Sequence, residues 1–585
     1  MKLKKATIFI PVLIGVLIIS TFSCTKYLEK PLVGSDIIED SVFASRLRAE
    51  SFLAETYKHL LPFGFPYFAG DRTFRMRRSI QASLCDEADF SIGASEGSRI
   101  NVSGFVPNNV ELMNDVFAKN WDGIRRAYIF IENIDNVPDI AQNEKEQMKA
   151  ECKAMIALRY SHMLKHYGGV PIVTKRLNSE DDVNIPRASV AEVVDFIVQL
   201  CDEAASILPN SYSTQWHGRV TKGVALATKA RTLLFAASPL FNTNNPVLPF
   251  EEPELIAYPS FDLNRWRIAA DANKDVLDWA LANGCHLIES GNPFDDFGKA
   301  VSQPDNAEII LAYKGRANQN GFTQFYLPNL GGFNEGNGIP LNFLKNFFYK
   351  ADGSDQDWPT LGDDPLPFSD YLEKMEQMEP RFKQSAWVYG RSPHNNSNNP
   401  RFIWDFNAVD GYNHGYTHTA KLLKFVYNYQ GTNANYGQDW IIYRLAEFYL
   451  NYAEALNEFQ ANNPEAYGAL NAIRKRAGLP LIATDDPLYS GQEALRQLIR
   501  RERAVELYAE EHRPYDVRRW RIAHEPGVVG GDIYSFRYTR NESRTAYTDY
   551  SVYHVENRFW QNKMYFTCFP QAEVNKGYLL QNPGY

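Results

Sequence analysis

The run DWIIYRLAEFYLNYAEALNEF, from Asp439 to Phe459, repeats apolar residues at three- and four-residue steps, the spacing that collects them on one face of a helix. Two more runs of this kind follow, PEAYGALNAIRKRA from Pro464 to Ala477 and QEALRQLIRRERAVELYAEE from Gln492 to Glu511. Consecutive amphipathic helices with short connections pack as antiparallel pairs. This part of the chain is therefore expected to be built from helical hairpins.

The same pattern recurs upstream. From about Val110 to Val137, Val116, Trp121, Ile124, Tyr128 and Ile131 keep helical spacing and Pro138 closes the segment. From about Asn143 to Tyr167, Met148, Cys152, Met155, Ile156 and Tyr160 fall on one side, and Gly168-Gly169 is the stop signal. Further helices are expected over Ser189 to Leu208, Thr221 to Ala237 and Asn264 to Ala282. The Thr221 to Ala237 segment carries Ala225, Ala227, Ala230, Ala236 and Ala237, small side chains that let helices approach closely, as in tetratricopeptide stacks. No strict 34-residue repeat accompanies them.

Between about His286 and Gln438 the helical period fades. Gly, Asn, Pro, Asp and aromatic residues dominate, as in Gly331-Gly332-Phe333-Asn334-Glu335-Gly336 and His394-Asn395-Asn396-Ser397-Asn398-Asn399-Pro400. Such composition makes turns and long loops, which either serve binding or are partly disordered, and the many aromatics favour binding. The fold expected is mainly α, with tetratricopeptide-like helical hairpins packed against a loop-rich, irregular ligand-binding region. Residues 24–285 and 286–585, the latter with loops over 286–438 and helices over 439–511, are expected to form one compact unit after a leader at 1–23.

That leader is read from Lys2, Lys4 and Lys5, an apolar run from about Ala6 to Ile19, and small and polar residues ending at Cys24. The run falls short of the roughly 20 residues a membrane span requires. Pro11 and Gly15 interrupt it. Thr21-Phe22-Ser23-Cys24 is similar to a lipoprotein cleavage box, which makes Cys24 the candidate lipid attachment site. A lipid there would tether the chain without burying it. The other cysteines, Cys85, Cys152, Cys201, Cys285 and Cys568, are widely spaced and odd in number, so neither a disulfide framework nor a zinc site is expected. Over 585 residues, 44% hydrophobic and 22% charged usage is that of an ordinary globular chain. A formal charge of −9 supplies no basic stripe for nucleic acid. The 33 Tyr, 36 Phe and 10 Trp exceed what a helical core alone needs, so some are expected to face a ligand.

Several patterns resemble catalytic or metal motifs. Gly93-Ala94-Ser95-Glu96-Gly97 fits the GxSxG pattern of a serine hydrolase, but it lacks the apolar strand before and helix after that a nucleophile elbow needs. Glu502 and Glu506 lie one helical turn apart and have the residue types of a glycosidase pair. Arg500, Arg501 and Arg503 beside them favour ionised carboxylates, so a structural salt-bridge cluster is the better reading. Asp352, Asp355 and Asp357 do not have EF-hand spacing, His524-Glu525 lacks the second histidine of a zincin, and there is no P-loop. No cofactor or metal is expected.

Three C-terminal segments carry a resemblance. The first runs through Tyr443-Arg444-Leu445-Ala446-Glu447 and Asn451-Tyr452-Ala453-Glu454-Ala455-Leu456-Asn457 to Asn471-Ala472-Ile473-Arg474-Lys475-Arg476-Ala477-Gly478-Leu479-Pro480. The second is Ile499 to Leu507 followed by Arg513, Asp516, Arg518, Arg519 and Trp520, and the third is Gln581-Asn582-Pro583-Gly584-Tyr585. With the start at Cys24 and with Tyr27-Leu28 and Pro31, these resemble the SusD/RagB family of outer-membrane nutrient-binding lipoproteins. Asp86-Glu87, Trp121, Tyr128 to Ile134 and Tyr167-Gly168-Gly169-Val170-Pro171 are similar to family positions in the N-terminal half. Only Glu29 is acidic in the six residues after Cys24, so outward orientation is implied by the family and not by an acidic export signal.

The resemblance implies a nonenzymatic, α-rich, SusD-like protein, lipid-anchored in the outer membrane and facing the cell exterior. It would capture a glycan and deliver it to a SusC-like TonB-dependent transporter. The recognised motifs would be structural, with Tyr443, Leu450, Tyr452, Leu470 and Ile473 facing the core and Arg474, Arg500 and Glu502 as partners. Ligand contacts are sought in the segment after Asp86-Glu87 and in mid-chain loops, which nominates Arg99, Asn101, Phe105, Gln324, Tyr326, Phe333 and Trp358. Core packing is the alternative for each aromatic, and solvation for Asn101 and Gln324. Competing readings are a RagB-like peptide binder, an enzyme that is either a surface glycosidase using Glu502 and Glu506 or a hydrolase using Ser95, and an adaptor that closes the transporter without touching cargo.

Overall fold

Where apolar residues keep helical spacing, the chain is helical. The computed structural model describes residues 42–61, 80–90, 96–108, 111–314, 337–391, 418–425, 439–543 and 546–585. The first series is α1 (Arg46–Leu60), α2 (Glu96–Ser103), α3 (Glu111–Asn133), α4 (Gln142–Tyr167), α5 (Val190–Ile207), α6 (Lys222–Ala237), α7 (Asn264–Ala282) and α8 (Pro293–Ser302). The short helices α9 (Leu341–Asn346), α10 (Phe368–Glu376) and α11 (Pro380–Ser385) precede α12 (Leu445–Phe459), α13 (Pro464–Arg476), α14 (Gln492–Glu506) and α15 (Arg513–Arg519). The fold is mainly α, as expected. Among the described residues no helix is long and apolar enough to cross a membrane.

Local chemistry sets the helix ends. The Ser189 hydroxyl accepts from the Glu192 N–H at 3.2 Å while the Glu192 carboxylate accepts from the Ser189 N–H at 2.7 Å, a reciprocal cap that starts α5. Asn292-Pro293 and Asn463-Pro464 start α8 and α13 with a side-chain acceptor followed by a residue whose missing N–H leaves no orphan donor. At the end of α4, Gly168 takes a φ of 75° and the Gly169 N–H donates to the Leu255 carbonyl at 2.7 Å. A Cβ on Gly169 would lie 2.0 Å from the Ala188 carbonyl oxygen, so the stop is also a crossing point of three chain segments.

Helices adjacent in sequence pack in order, α4 on α5, α5 on α6 and α6 on α7. The stack then crosses to the C-terminal part, where α7 packs on α12, and α12 on α13 and α14. Leu234, Trp266, Ala269, Leu450, Leu470, Ile473 and Leu498 form the apolar core at this junction. A larger core runs from α3 to α6 and continues under the β-structure through Phe343, Trp358, Tyr371 and Phe536.

Three expectations are corrected. Asp439 to Phe459 is not one helix, because Trp440–Arg444 is a strand (β7) and α12 begins at Leu445. The apolar, β-branched and aromatic run Trp440-Ile441-Ile442-Tyr443 is buried throughout, which suits a strand covered on both faces. It pairs antiparallel with β2 (Ile309–Tyr313), Tyr313 opposite Trp440. Helix α14 ends at Glu506, five residues before the expected Glu511, because Ala509 and Glu511 turn to φ values of 60° and 62°. The stretch after His286 is also more ordered than its composition indicated, holding α8 to α11 and several short strands.

Those strands form two small sheets. One has the order β1 (Asp89–Phe90), β3 (Asn337–Ile339), β6 (Ala420–Leu422), β5 (Ala386–Trp387). The other joins β4 (Leu366–Pro367) to a long hairpin of β8 (Gly531–Arg540) and β9 (Tyr547–Arg558), with Phe536 opposite Val552. Because both ends of the Gly168-Gly169 crossing are filled by backbone, Gly169→Ala is expected to lose about 1–3 kcal/mol of stability. Urea unfolding measures this, and an unchanged midpoint would contradict the crossing geometry.

Candidate functional site

The carboxylate pair singled out in the sequence, Glu502 and Glu506, lies on the buried face of α14. Glu506 accepts from Arg444 at 2.6 Å and Arg381 at 3.4 Å, and is also paired with Arg476. Glu502 is paired with Arg381 at 3.0 Å and with Arg474. Arg381 holds Glu379 at 2.7 Å, Arg476 holds Glu308 at 2.8 Å, and Glu510 takes Arg444 and Lys424, each at 2.7 Å. Five carboxylates thus face five cations, all buried. A buried charge without a partner costs several kcal/mol, so the set stands only as a matched whole.

Electrostatics removes acid–base work from Glu506. Burial pushes the Glu506 carboxyl up, but Arg476, Arg444 and Arg381 outweigh it and hold the group well below the ordinary carboxylate range. A catalytic acid needs the opposite shift and a path to substrate. The expected salt-bridge cluster is present, and Arg474 pairs with Glu502 as expected, but Arg500, Arg501 and Arg503 are not its cations. Side chains one residue apart on a helix do not face each other. Arg503 turns to Asp516 at 2.7 Å, Arg501 stacks 3.7 Å from the Tyr349 ring and pairs with Asp355 at 2.7 Å, and Arg500 lies 4.8 Å from the Trp520 ring. Asp352 accepts from the Ser354 N–H and hydroxyl at 2.9 and 2.6 Å, and no group of acidic, His or Cys side chains among the described residues has metal-holding geometry.

Asp86-Glu87 is tied to the same region. Both Asp86 carboxylate oxygens accept from Arg513 at 2.6 Å, and Glu87 accepts from the Ala509 N–H at 2.7 Å. The left-handed turn after α14 presents that N–H. Burial pushes the Glu87 carboxyl up to about 8, despite the hydrogen bond from Ala509 and the nearby Arg513.

The structure separates the nominated ligand residues. Arg99 is exposed on α2. Asn101 is buried, donating to the Ser83 carbonyl at 2.9 Å and accepting on its own carbonyl from the Phe559 N–H at 2.7 Å. Phe105 is 6% exposed and packs with Leu84, Ile100, Met564 and Cys568. Trp358 is 3% exposed, 5.8 Å from the Phe536 ring. Asn101, Phe105 and Trp358 are therefore interior residues, because helical and hairpin packing claims the faces that a ligand would need. Gln324, Tyr326 and Phe333 lie outside the described residues, as do Ser95 and Cys24. The expectation that no helix follows Ser95 is corrected, because α2 begins at Glu96.

The four-stranded sheet is where the loop-rich sequence is joined to the framework. Segments 91–95, 315–336, 392–417 and 426–438 each connect to one of its strands or to residues just beyond them. Its centre is polar, which sequence reasoning did not find. His418 lies 3.4 Å from Asp89 and accepts from Lys421 at 3.1 Å, and Arg558 reaches Asp89 at 3.0 Å from the end of β9. Burial, then Lys421, pushes the His418 imidazole down to about 4, so it is neutral at ordinary pH. A Cβ on Gly338 would fall 2.2 Å from the His418 ring, so glycine in β3 is what admits the imidazole. These groups come together only because Asp89 pairs with Gly338 and Gly338 with Lys421 across distant strands, which leaves no local signal.

Comparison with known proteins agrees with this architecture. Residues 307–585 match the model described as the SusD family, and residues 71–234 match one described as starch-binding associating with outer membrane. SusD-like protein P2 of Formosa agariphila is 22% identical over 460 residues, covering 75% of this chain and 78% of that protein. A crystal structure of a SusD-like protein from Bacteroides fragilis superimposes with a TM-score of 0.74 at 24% identity, over 94% of this chain and 99% of that one. A laminarin-binding SusD-like protein superimposes with a TM-score of 0.56 at 20% identity, over 92% of this chain and 100% of that one.

Two carboxylates give opposite pH signatures. Glu506→Gln leaves three guanidinium groups short of an anion and is expected to cost about 3–5 kcal/mol near neutrality. Because the folded value is depressed, the native advantage holds above the ordinary glutamate value of about 4.3 and shrinks as pH falls below it. Equal stability of both chains at pH 7 would contradict the network. Glu87 has a raised folded value, so the native chain loses stability from this group as pH rises from about 4.3 to about 8, the folded value. Glu87→Gln removes that loss, and denaturant midpoints should favour the variant increasingly across this window. A pH-independent difference would show that Glu87 is ionised in the fold.

Proposed function

Because the chain belongs to the SusD family, we propose that it is an outer-membrane, lipid-anchored surface protein that captures an oligosaccharide and delivers it to a SusC-like TonB-dependent transporter. The observation that carries this reading is the match of two successive SusD models, over 71–234 and 307–585. Two descriptions among the relatives, starch-binding and laminarin-binding, name glucans, and a glucan is the cargo assigned to this chain.

The mechanism is capture without turnover. Aromatic rings stack on the apolar faces of pyranoses while Asn, Gln or Arg side chains exchange hydrogen bonds with hydroxyls. Arg99 on the exposed face of α2, and Gln324, Tyr326 and Phe333 between β2 and β3, are assigned to this contact. The Glu502 and Glu506 carboxylates take no part, since guanidinium groups saturate both and neither meets solvent. Cys24 carries the lipid, and the outer faces of the stacked helices meet the transporter.

Calorimetric titration of the chain beginning after Cys24 with maltoheptaose and laminarihexaose, with released sugars followed in the same samples, tests this reading. Saturable binding to a glucan without products is expected, with Phe333→Ala weakening it about tenfold, near 1.4 kcal/mol. Cleavage products would make the protein an enzyme. Binding of peptides and of no glycan would make it a peptide carrier.

A further inference from the structure

A cavity of about 410 Å³ opens between α1, the turn at 214–219 before α6, and the end of β2. That volume is within the range of small-ligand pockets, roughly 300–1,000 Å³. It lies apart from the four-stranded sheet and contains none of the residues nominated from sequence. Tyr57, Trp216 and Tyr313 contribute rings to its wall, and Gln215 places an amide on the exposed rim. Trp216 is 38% exposed, although an indole of this size is ordinarily highly buried.

The wall is built in advance of any ligand. Glu151, fully buried on α4, accepts from Arg219 at 2.9 Å and from the Tyr212 hydroxyl at 3.0 Å, and is also bonded to the Tyr57 hydroxyl. The Tyr57 oxygen in turn accepts from the Val220 N–H at 2.9 Å. Arg219 then lies 5.0 Å from the Tyr212 ring and 5.3 Å from the Trp216 ring, holding the indole from one side. The Tyr57 hydroxyl is thereby turned into the protein, and its ring contributes to the cavity wall.

Charge narrows the class of ligand. Lys58 is paired with Glu55 at 3.4 Å, His217 with Asp305 at 3.0 Å, Lys314 with Asp305, and Arg219 with Glu151. Lys58 and Arg219 thus each meet a carboxylate, and His217 and Lys314 share Asp305, with Asp439 at 3.9 Å from Lys314. The Glu50 carboxylate of the lining is met by Arg46 at 3.2 Å, so the charges are matched among themselves and none is left to select an anion. Fixed rings with a neutral rim and a free-standing amide suit an uncharged molecule that has flat apolar faces and hydroxyl edges.

We propose that this cavity is a second binding site, taking a short stretch of neutral hexopyranose chain stacked on Trp216 and Tyr313. The assignment rests on the glycan reading above. A protein with two such sites holds a long chain at both, so avidity grows with chain length without any new contact.

The test is ¹⁹F NMR on the mature chain labelled with 5-fluorotryptophan, the Trp216 resonance being assigned with Trp216→Phe. Titration with maltoheptaose or laminarihexaose is expected to move that resonance saturably. Trp216→Ala and, independently, the rim change Gln215→Ala are expected to weaken binding of the parent polysaccharide at least fivefold. Calorimetric binding of a glucan with the Trp216 resonance unmoved and both variants unchanged overturns the second site and leaves the capture reading intact. A shift with peptides and not with glucans overturns the ligand class. No heat and no shift with either glucan overturns both.

Discussion

A single buried anion, Glu506, forces distant parts of the chain to converge. Its carboxylate is shared by Arg381 on α11, Arg444 at the end of β7 and Arg476 on α13. Arg381 brings Glu379 and Glu502 with it, Arg444 brings Glu510 and Arg476 brings Glu308, so four more carboxylates are drawn into the same interior. Since none can be left unpaired in a low-dielectric interior, the elements that carry them have little freedom to rearrange separately. Asp86 extends the constraint to the N-terminal part through Arg513, and Glu87 through the N–H of Ala509. Arg519 adds Glu454, which fixes α15 against α12, and Asp516 takes both Arg519 and Arg503, which fixes α15 against α14.

This arrangement divides labour within the molecule. The charged residues that look most chemical in the sequence are spent on holding α11 to α15 together, and the neutral, aromatic surfaces are what remain for recognition. The Trp216 cavity lies outside the network, although β2 links it to that network through the preceding Glu308 and the pairing of β2 with β7. A binding protein built this way varies its specificity at the surface without disturbing buried charge.

Much of the helical framework was legible in the sequence because its evidence is local. Helices at 142–167, 190–207, 222–237, 264–282 and 464–476 lie within a residue or two of the expected spans. Gly168-Gly169 marked a true terminus, for a reason that became visible only in the crossing backbone of Ala188 and Leu255. Strand β7 was misread because Trp440 to Tyr443 is apolar at every position, a pattern that does not distinguish a buried strand from a helix. The β8–β9 hairpin and α1 were not anticipated. The nominated site fared less evenly. Residue type made Phe105 and Trp358 look like ligand aromatics, whereas their burial depends on the hairpin and on residues near 564, far along the chain. Trp216 and the Asp89, His418 and Lys421 group gave no sequence signal, since their surroundings are assembled from separate elements.

Hydrogen exchange followed by mass spectrometry, with and without a saturating glucan oligosaccharide, tests this division most directly. Slower exchange is expected in peptides spanning 212–219 and in those joined to the four-stranded sheet, with α12 and α14 unchanged. A ligand-induced change centred on 492–506 would contradict it, because the buried carboxylates would then belong to the binding site and not to the framework.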